Sequence, residues 1–172
     1  HLLTLLFYNQ HLYPMKKLLY IFSLALLLAG CNSVKKNQRL LAQGNYEQAI
    51  ELAVKKLQKN TSSKKKDGHI TVLEKAFQKN VAKDTRRISF LEKQGNASGA
   101  KEIYYTYQNL AYIQDKIRPL LPIYSNTLKR DAEFTLKDYS SKIIDAKKAY
   151  IAYLYVEAGL YMQYQTRKDY RT

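Results

Sequence analysis

The chain has 172 residues, with 46% hydrophobic and 25% charged side chains, enough apolar material for a packed domain and too much for wholesale disorder. Lys and Arg outnumber Asp and Glu by 29 to 14, a formal charge of +15 that points to anionic surroundings. One Cys, three His and six Gly exclude an internal disulfide and leave little for a multi-cysteine zinc site or a glycine-rich phosphate loop.

Residues 1–14 begin at His1 and precede a complete export signal, so they are read as an upstream or mis-started segment. Met15-Lys16-Lys17 forms a positive start, and Leu18–Ala29 is an uncharged apolar run. A membrane span needs about 20 apolar residues, so this run has the dimensions of a signal-peptide core. It ends in Leu28-Ala29-Gly30-Cys31, after which the chain turns polar at Asn32-Ser33-Val34-Lys35-Lys36.

That order resembles the lipobox of bacterial lipoproteins. The resemblance implies cleavage between Gly30 and Cys31 and a diacylglyceryl group on the Cys31 sulfur, often with an acyl group on the new amino terminus. Two or three chains would hold the protein on a membrane for practical purposes permanently. Residues 15–30 would then be the signal peptide and 31–172 the mature domain, with a charge of +13 because the first thirty residues hold Lys16, Lys17 and no acid. The absence of acids just after Cys31 favours the periplasm-facing side of the outer membrane, by analogy with exported lipoproteins. Export also argues against nucleic acid as a partner.

The mature chain is patterned for helices. Val34–Gln43 makes a short helix that Gly44 ends. Tyr46, Ala49, Ile50, Ala53, Val54 and Leu57 mark one clean stripe. Asn60–Gly68 reads as a polar loop, and a long helix is expected from His69 to Gln94 on Ile70, Leu73, Phe77, Val81, Ile88 and Leu91, with Gly95 after its end. Another helix spans about Ala97–Arg118, through Ile103, Tyr107, Leu110, Ile113 and Ile117, until Pro119 and Pro122 stop it. Residues 120–137 are either irregular or a small β-hairpin. A final helix covers Ser140–Thr166, with Ile144, Ile151, Leu154, Ala158 and Tyr161 expected on its inner face.

Gln43-Gly44-Asn45-x-x-x-Ala49 recurs as Gln94-Gly95-Asn96-x-x-x-Ala100. Leu41–Ile50 resembles the middle of a tetratricopeptide repeat, which implies an all-α fold of antiparallel helical hairpins stacked in an array. The spacing near 50 departs from the 34 residues of that family. The helix reaching the C-terminus would lack a partner, so the chain is expected to continue past Thr172.

No catalytic constellation stands out. His69 follows Asp67-Gly68 and reads as a solvated residue at a helix start, and Asp84, Glu92, Asp115 and Asp131 read as a solvated helix surface. No cofactor or metal is expected beyond the lipid at Cys31. Two binding features remain. Lys35, Lys36, Lys55, Lys56, Lys59, Lys64, Lys65 and Lys66 are candidates for contact with an anionic surface. Tyr104, Tyr105, Tyr107, Tyr112, Tyr153 and Tyr155 are candidates for a tyrosine-lined groove. The expected function is a non-catalytic, lipid-anchored envelope scaffold that binds another envelope protein. The alternatives are a cationic module on anionic membrane or cell-wall polymer, and the N-terminal part of a longer enzyme.

Overall fold

The computed structural model describes residues 32–59 and 63–169, without the side chains of Asn32, Ser63, Lys64, Lys168 and Asp169. The upstream segment, the signal peptide, Gly30 and Cys31 lie outside the described residues. Five α-helices carry the described fold: α1 (Asn32–Ala42), α2 (Tyr46–Leu57), α3 (Ser63–Gln94), α4 (Ala100–Ile117) and α5 (Ser140–Asp169). A two-stranded antiparallel hairpin, β1 (Tyr124–Ser125) and β2 (Arg130–Asp131), interrupts them, with Tyr124 opposite Asp131 and Ser125 opposite Arg130.

The turns follow local chemistry. Gly44 and Gly95 have φ of 79° and 61°, the left-handed conformation that ends α1 and α3 at little steric cost. Asn96 then accepts a hydrogen bond from the backbone N–H of Ser98 and opens a 3₁₀ turn, Ala97–Gly99, so α4 proper begins at Ala100, three residues later than expected. Ala49 and Ala100, the shared small positions after those glycines, are both buried.

α3 begins at Ser63, six residues earlier than the sequence suggested. The stretch Lys64–Gly68 was expected to be loop because it is polar, but it is the first turns of this helix. Two contacts hold it helical. Gly68 faces α1 so closely that a Cβ there would lie 2.7 Å from Val34 Cγ1. Asp67, 7% exposed, grips the hairpin: it accepts from Ser125 Oγ (2.9 Å), from the Thr127 backbone N–H (3.0 Å) and from Thr127 Oγ1. Further along α3, buried Glu74 pairs with Arg130 at 2.8 Å.

Ile50, Ile70, Leu73, Phe77 and Ile117 are almost fully enclosed, and Phe134 meets Phe77 edge to face at 5.4 Å. Each such side chain contributes about 1.5–3 kcal/mol on leaving water. α2 runs antiparallel to α3, as the Lys83–Glu47 contact at 3.9 Å shows. The second half of α3 carries α4, through Ile88, Leu91, Leu110 and a bidentate Arg87–Glu102 pair at 2.6 and 2.7 Å. The helices have 11, 12, 32, 18 and 30 residues, so they do not form pairs of equal length.

The last helix corrects the sequence reading. Ile144, Ile151, Leu154 and Tyr161, expected inside, are 54%, 41%, 42% and 64% exposed, and Ala158 is exposed as well. The face against α4 is instead Ile143, Ala146, Tyr150 and Tyr153, spaced 3, 4 and 3. From Ala149 on, α5 is apolar nearly all round and periodicity gives it no phase, whereas in its first half exposed Lys142, Asp145, Lys147 and Lys148 mark the outer arc.

Burial pushes the Asp67 carboxyl upward, but its donors outweigh that and hold it below the ordinary carboxylate range. Its folded value lies under the unfolded one, so its stabilisation is complete above about pH 4 and is lost as pH falls through the folded value. Asp67→Ala is expected to cost about 2–4 kcal/mol. Denaturant titration checks the loss, and hydrogen exchange should show residues 123–132 losing protection first.

Candidate functional site

The expected surface lysines gather at one end. α1 lies along α2 so that Lys36, Leu40, Gln48, Glu51, Leu52 and Lys55 line one shallow cleft of about 270 Å³. α1 also crosses the start of α3, where His69 waits. Lys56 at the end of α2 is close enough to disfavour the charged His69 ring, and Lys65 and Lys66 occupy the first turns of α3. The hairpin turn held by Asp67 adds exposed Lys129 to the same end, a residue sequence reasoning missed because nothing local links 129 to 67. Lys35, Lys36, Lys55, Lys59 and Lys66 are exposed, Lys56 and Lys65 are half-buried, and the Lys64 side chain lies outside the described residues.

His69 is not a solvated helix-start residue. It is 0% exposed, and Asn37, also fully buried, donates its amide N–H to Nδ1 at 3.1 Å. The neutral ring then carries its proton on Nε2, which faces Ser33 Oγ at 3.4 Å. Asn37 Oδ1 is buried without a partner. Burial, with Lys56 adding to it, holds the imidazole below its ordinary pKa. This polar lock joins the helix that follows Cys31 to the body of the protein.

Asp84 is the second correction. It is 5% exposed, on the buried stripe of α3, and accepts from Asn80 Nδ2 at 2.8 Å, with the Lys83 ammonium 3.6 Å away. Burial raises its carboxyl above the ordinary range despite these partners. Glu92, Asp115 and Asp131 are exposed as expected. Asp84 forms the floor of a cleft of about 450 Å³ bounded by Glu47, Lys101, Glu102 and Tyr105.

The expected tyrosine groove is only partly assembled. Tyr104, Tyr105 and Tyr150 form a cluster, with Tyr104 stacked on Tyr150 at 6.1 Å and Tyr105 tilted onto Tyr104 at 5.2 Å. Tyr107 turns toward Tyr139, 5.9 Å away. Tyr112 lies on another side of α4, under the Lys116 ammonium beside Lys55 and Gln58. Tyr153 donates to Glu157 within α5. Tyr155, 76% exposed, reaches none of them.

α5 instead forms an arm. The Tyr104–Tyr150 contact and the antiparallel course set the start of α4 level with about residue 154 of α5. Beyond that point Tyr155, Val156, Leu160, Tyr161, Met162 and Tyr164 are 62–76% exposed around the whole circumference. Ala149–Thr166 is an 18-residue stretch whose one charge is Glu157. The arm leaves the end of the molecule where Leu91 meets Gly99, while α1 docks at Gly68. Those two points are separated by about 35 Å along α3.

Residues 15–32 match the family model of the prokaryotic membrane lipoprotein lipid attachment site. The chain thus carries the attachment site of a bacterial lipoprotein, and it is anchored to a membrane by lipid. None of the curated proteins and none of the solved structures matches this chain. Among the described residues, no helix is long and apolar enough to cross a membrane.

Three outcomes follow. Cys31→Ser is expected to abolish acylation, leave the leader uncleaved and remove the fatty-acid label, read by metabolic labelling and gel mobility. Because His69 is depressed when folded, the unfolded chain takes up the proton first, so stability declines as pH falls below about 6.5; His69→Gln should flatten that decline in thermal melts. Asp84 is shifted the other way, so its ionisation at neutral pH opposes folding; Asp84→Asn should raise the melting temperature at pH 7, and the gain should vanish below about pH 3.

Proposed function

We propose that this chain is a non-catalytic scaffold of the bacterial cell envelope, anchored by the lipid on Cys31, that holds another envelope protein against α5. The reading rests on one observation: the exposed apolar half of α5 leaves the body at the end remote from α1. A helix that is apolar around its circumference is stable when neighbouring elements surround it. α4 covers one side of its first half, and Tyr155 to Tyr164 are uncovered.

The apolar stretch, whose one charge is Glu157, is flanked by Lys147 and Lys148 before it and Arg167 after it, so the fitting partner is a helical surface, apolar in the middle and bordered by carboxylates. We place the protein in a tetratricopeptide-like scaffold class on the resemblance of Leu41–Ile50 to the middle of such a repeat. The anchor is assigned to the periplasm-facing side of the outer membrane, on the polar, acid-free residues after Cys31.

The test is site-specific photo-crosslinking in living cells. A benzophenone side chain at position 155, 160 or 164 is expected to give one discrete adduct with an envelope protein, and the same probe at Lys142 none. Tyr155→Ser combined with Leu160→Ser should remove the adduct without changing the melting temperature. Diffuse labelling from every position, or labelling that survives the double substitution, overturns the reading.

A further inference from the structure

We propose that the end of the molecule at which α1 begins is a docking surface for anionic phospholipid headgroups, and that it sets the angle at which the anchored protein stands on its bilayer. The attachment site ends at residue 32, and α1 starts there, packed on Gly68 and His69. The acyl chains therefore leave the protein from this end. Four separate segments bring cations to it. Lys35 and Lys36 are exposed on α1, Lys55 faces Lys36 across the shallow cleft, Lys66 stands on the first turns of α3, and the hairpin turn presents Lys129.

The fold buries two of the acids at this end, while Asp131 and Glu133 stay exposed on the hairpin, Glu133 beside Arg130 at 3.6 Å. Asp67 sits between Lys66 and the body, yet it is buried and given to Ser125 and Thr127. Glu74 is buried and paired with Arg130. Glu51 is the exposed acid in the Lys36–Lys55 cleft. The hairpin thus performs two operations with one set of bonds: it satisfies a buried carboxylate with hydrogen bonds inside and presents a lysine outside.

Charge complementarity with an acidic leaflet follows. Each lysine close to such a surface favours contact about fivefold, and the effect fades over about 8 Å at physiological salt. Such weak contacts suffice because the tether already holds the local concentration in the millimolar range or higher. The surface does not depend on the docking role of α5, and the two readings fail separately.

The acylated protein is placed in vesicles of phosphatidylcholine alone or of phosphatidylcholine with phosphatidylglycerol, whose headgroup makes the surface anionic. Its lysines are acetylated with a membrane-impermeant reagent and read by mass spectrometry. Lys35, Lys36, Lys55, Lys66 and Lys129 are expected to react at least about threefold more slowly in the anionic vesicles. Lys147 and Lys148 should be unchanged, and 0.5 M salt should erase the difference. Equal rates in both vesicles overturn the proposal, as does protection that appears on Lys147 and Lys148 instead. Protection produced by a soluble anionic polysaccharide but not by phosphatidylglycerol also overturns it, in favour of a wall polymer.

Discussion

The stripe on α3 is the constraint from which the rest of the architecture follows. A helix of 32 residues is about 48 Å long, more than one neighbour can cover. Ile70, Leu73 and Phe77 are buried by α2 and by Ile113, Ile117 and Phe134, whereas Ile88 and Leu91 are buried where α4 begins. α1 and the hairpin then close the first half, and α5 packs against α4 and the 3₁₀ turn before it. Two distinct ends result, one beside the attachment site and one remote from it.

Between those halves the stripe changes character. Asp67 and Asp84 are both buried aspartates on the same helix, and their acidities move in opposite directions. Desolvation opposes the charge at both. Asp67 receives two hydroxyls and a backbone N–H, which win; Asp84 receives one amide and a lysine 3.6 Å away, which do not. The first ties the fold together, and the second weakens it at neutral pH. Asp84 underlies the cleft that Tyr105 borders.

Much of this was legible from spacing. The stripes of α2, α3 and α4 are those that periodicity marked, and both glycines after helix ends take the left-handed conformation. The missing pieces are long-range. The seven-residue step between Val81 and Ile88 in the α3 stripe is filled by buried Asp84, with buried Asn80 one turn before it, so polar residues in register with an apolar face were the available signal. His69 and Asp67 looked solvated because their partners, Asn37, Ser125 and Thr127, are 32 to 60 residues away. In the second half of α5 the phase was unreadable because apolar residues occur on every side, while in the first half Lys142, Asp145, Lys147 and Lys148 were the available signal against Ile144 facing inward. Of the tyrosines, Tyr104 and Tyr105 do meet α5 at Tyr150, while Tyr112 and Tyr155 face elsewhere.

The close approach at Gly68 has a mechanical corollary. A pull on the tip of α5 reaches the bilayer through seams in series: α5 on α4, α4 on α3, and α3 on the eleven-residue α1. The last is the shortest, and it is centred on Val34 against a bare backbone and on the Asn37–His69 bond. A load on the tether therefore enters the body through α1, and detachment of that helix would lengthen the tether by residues 32–42.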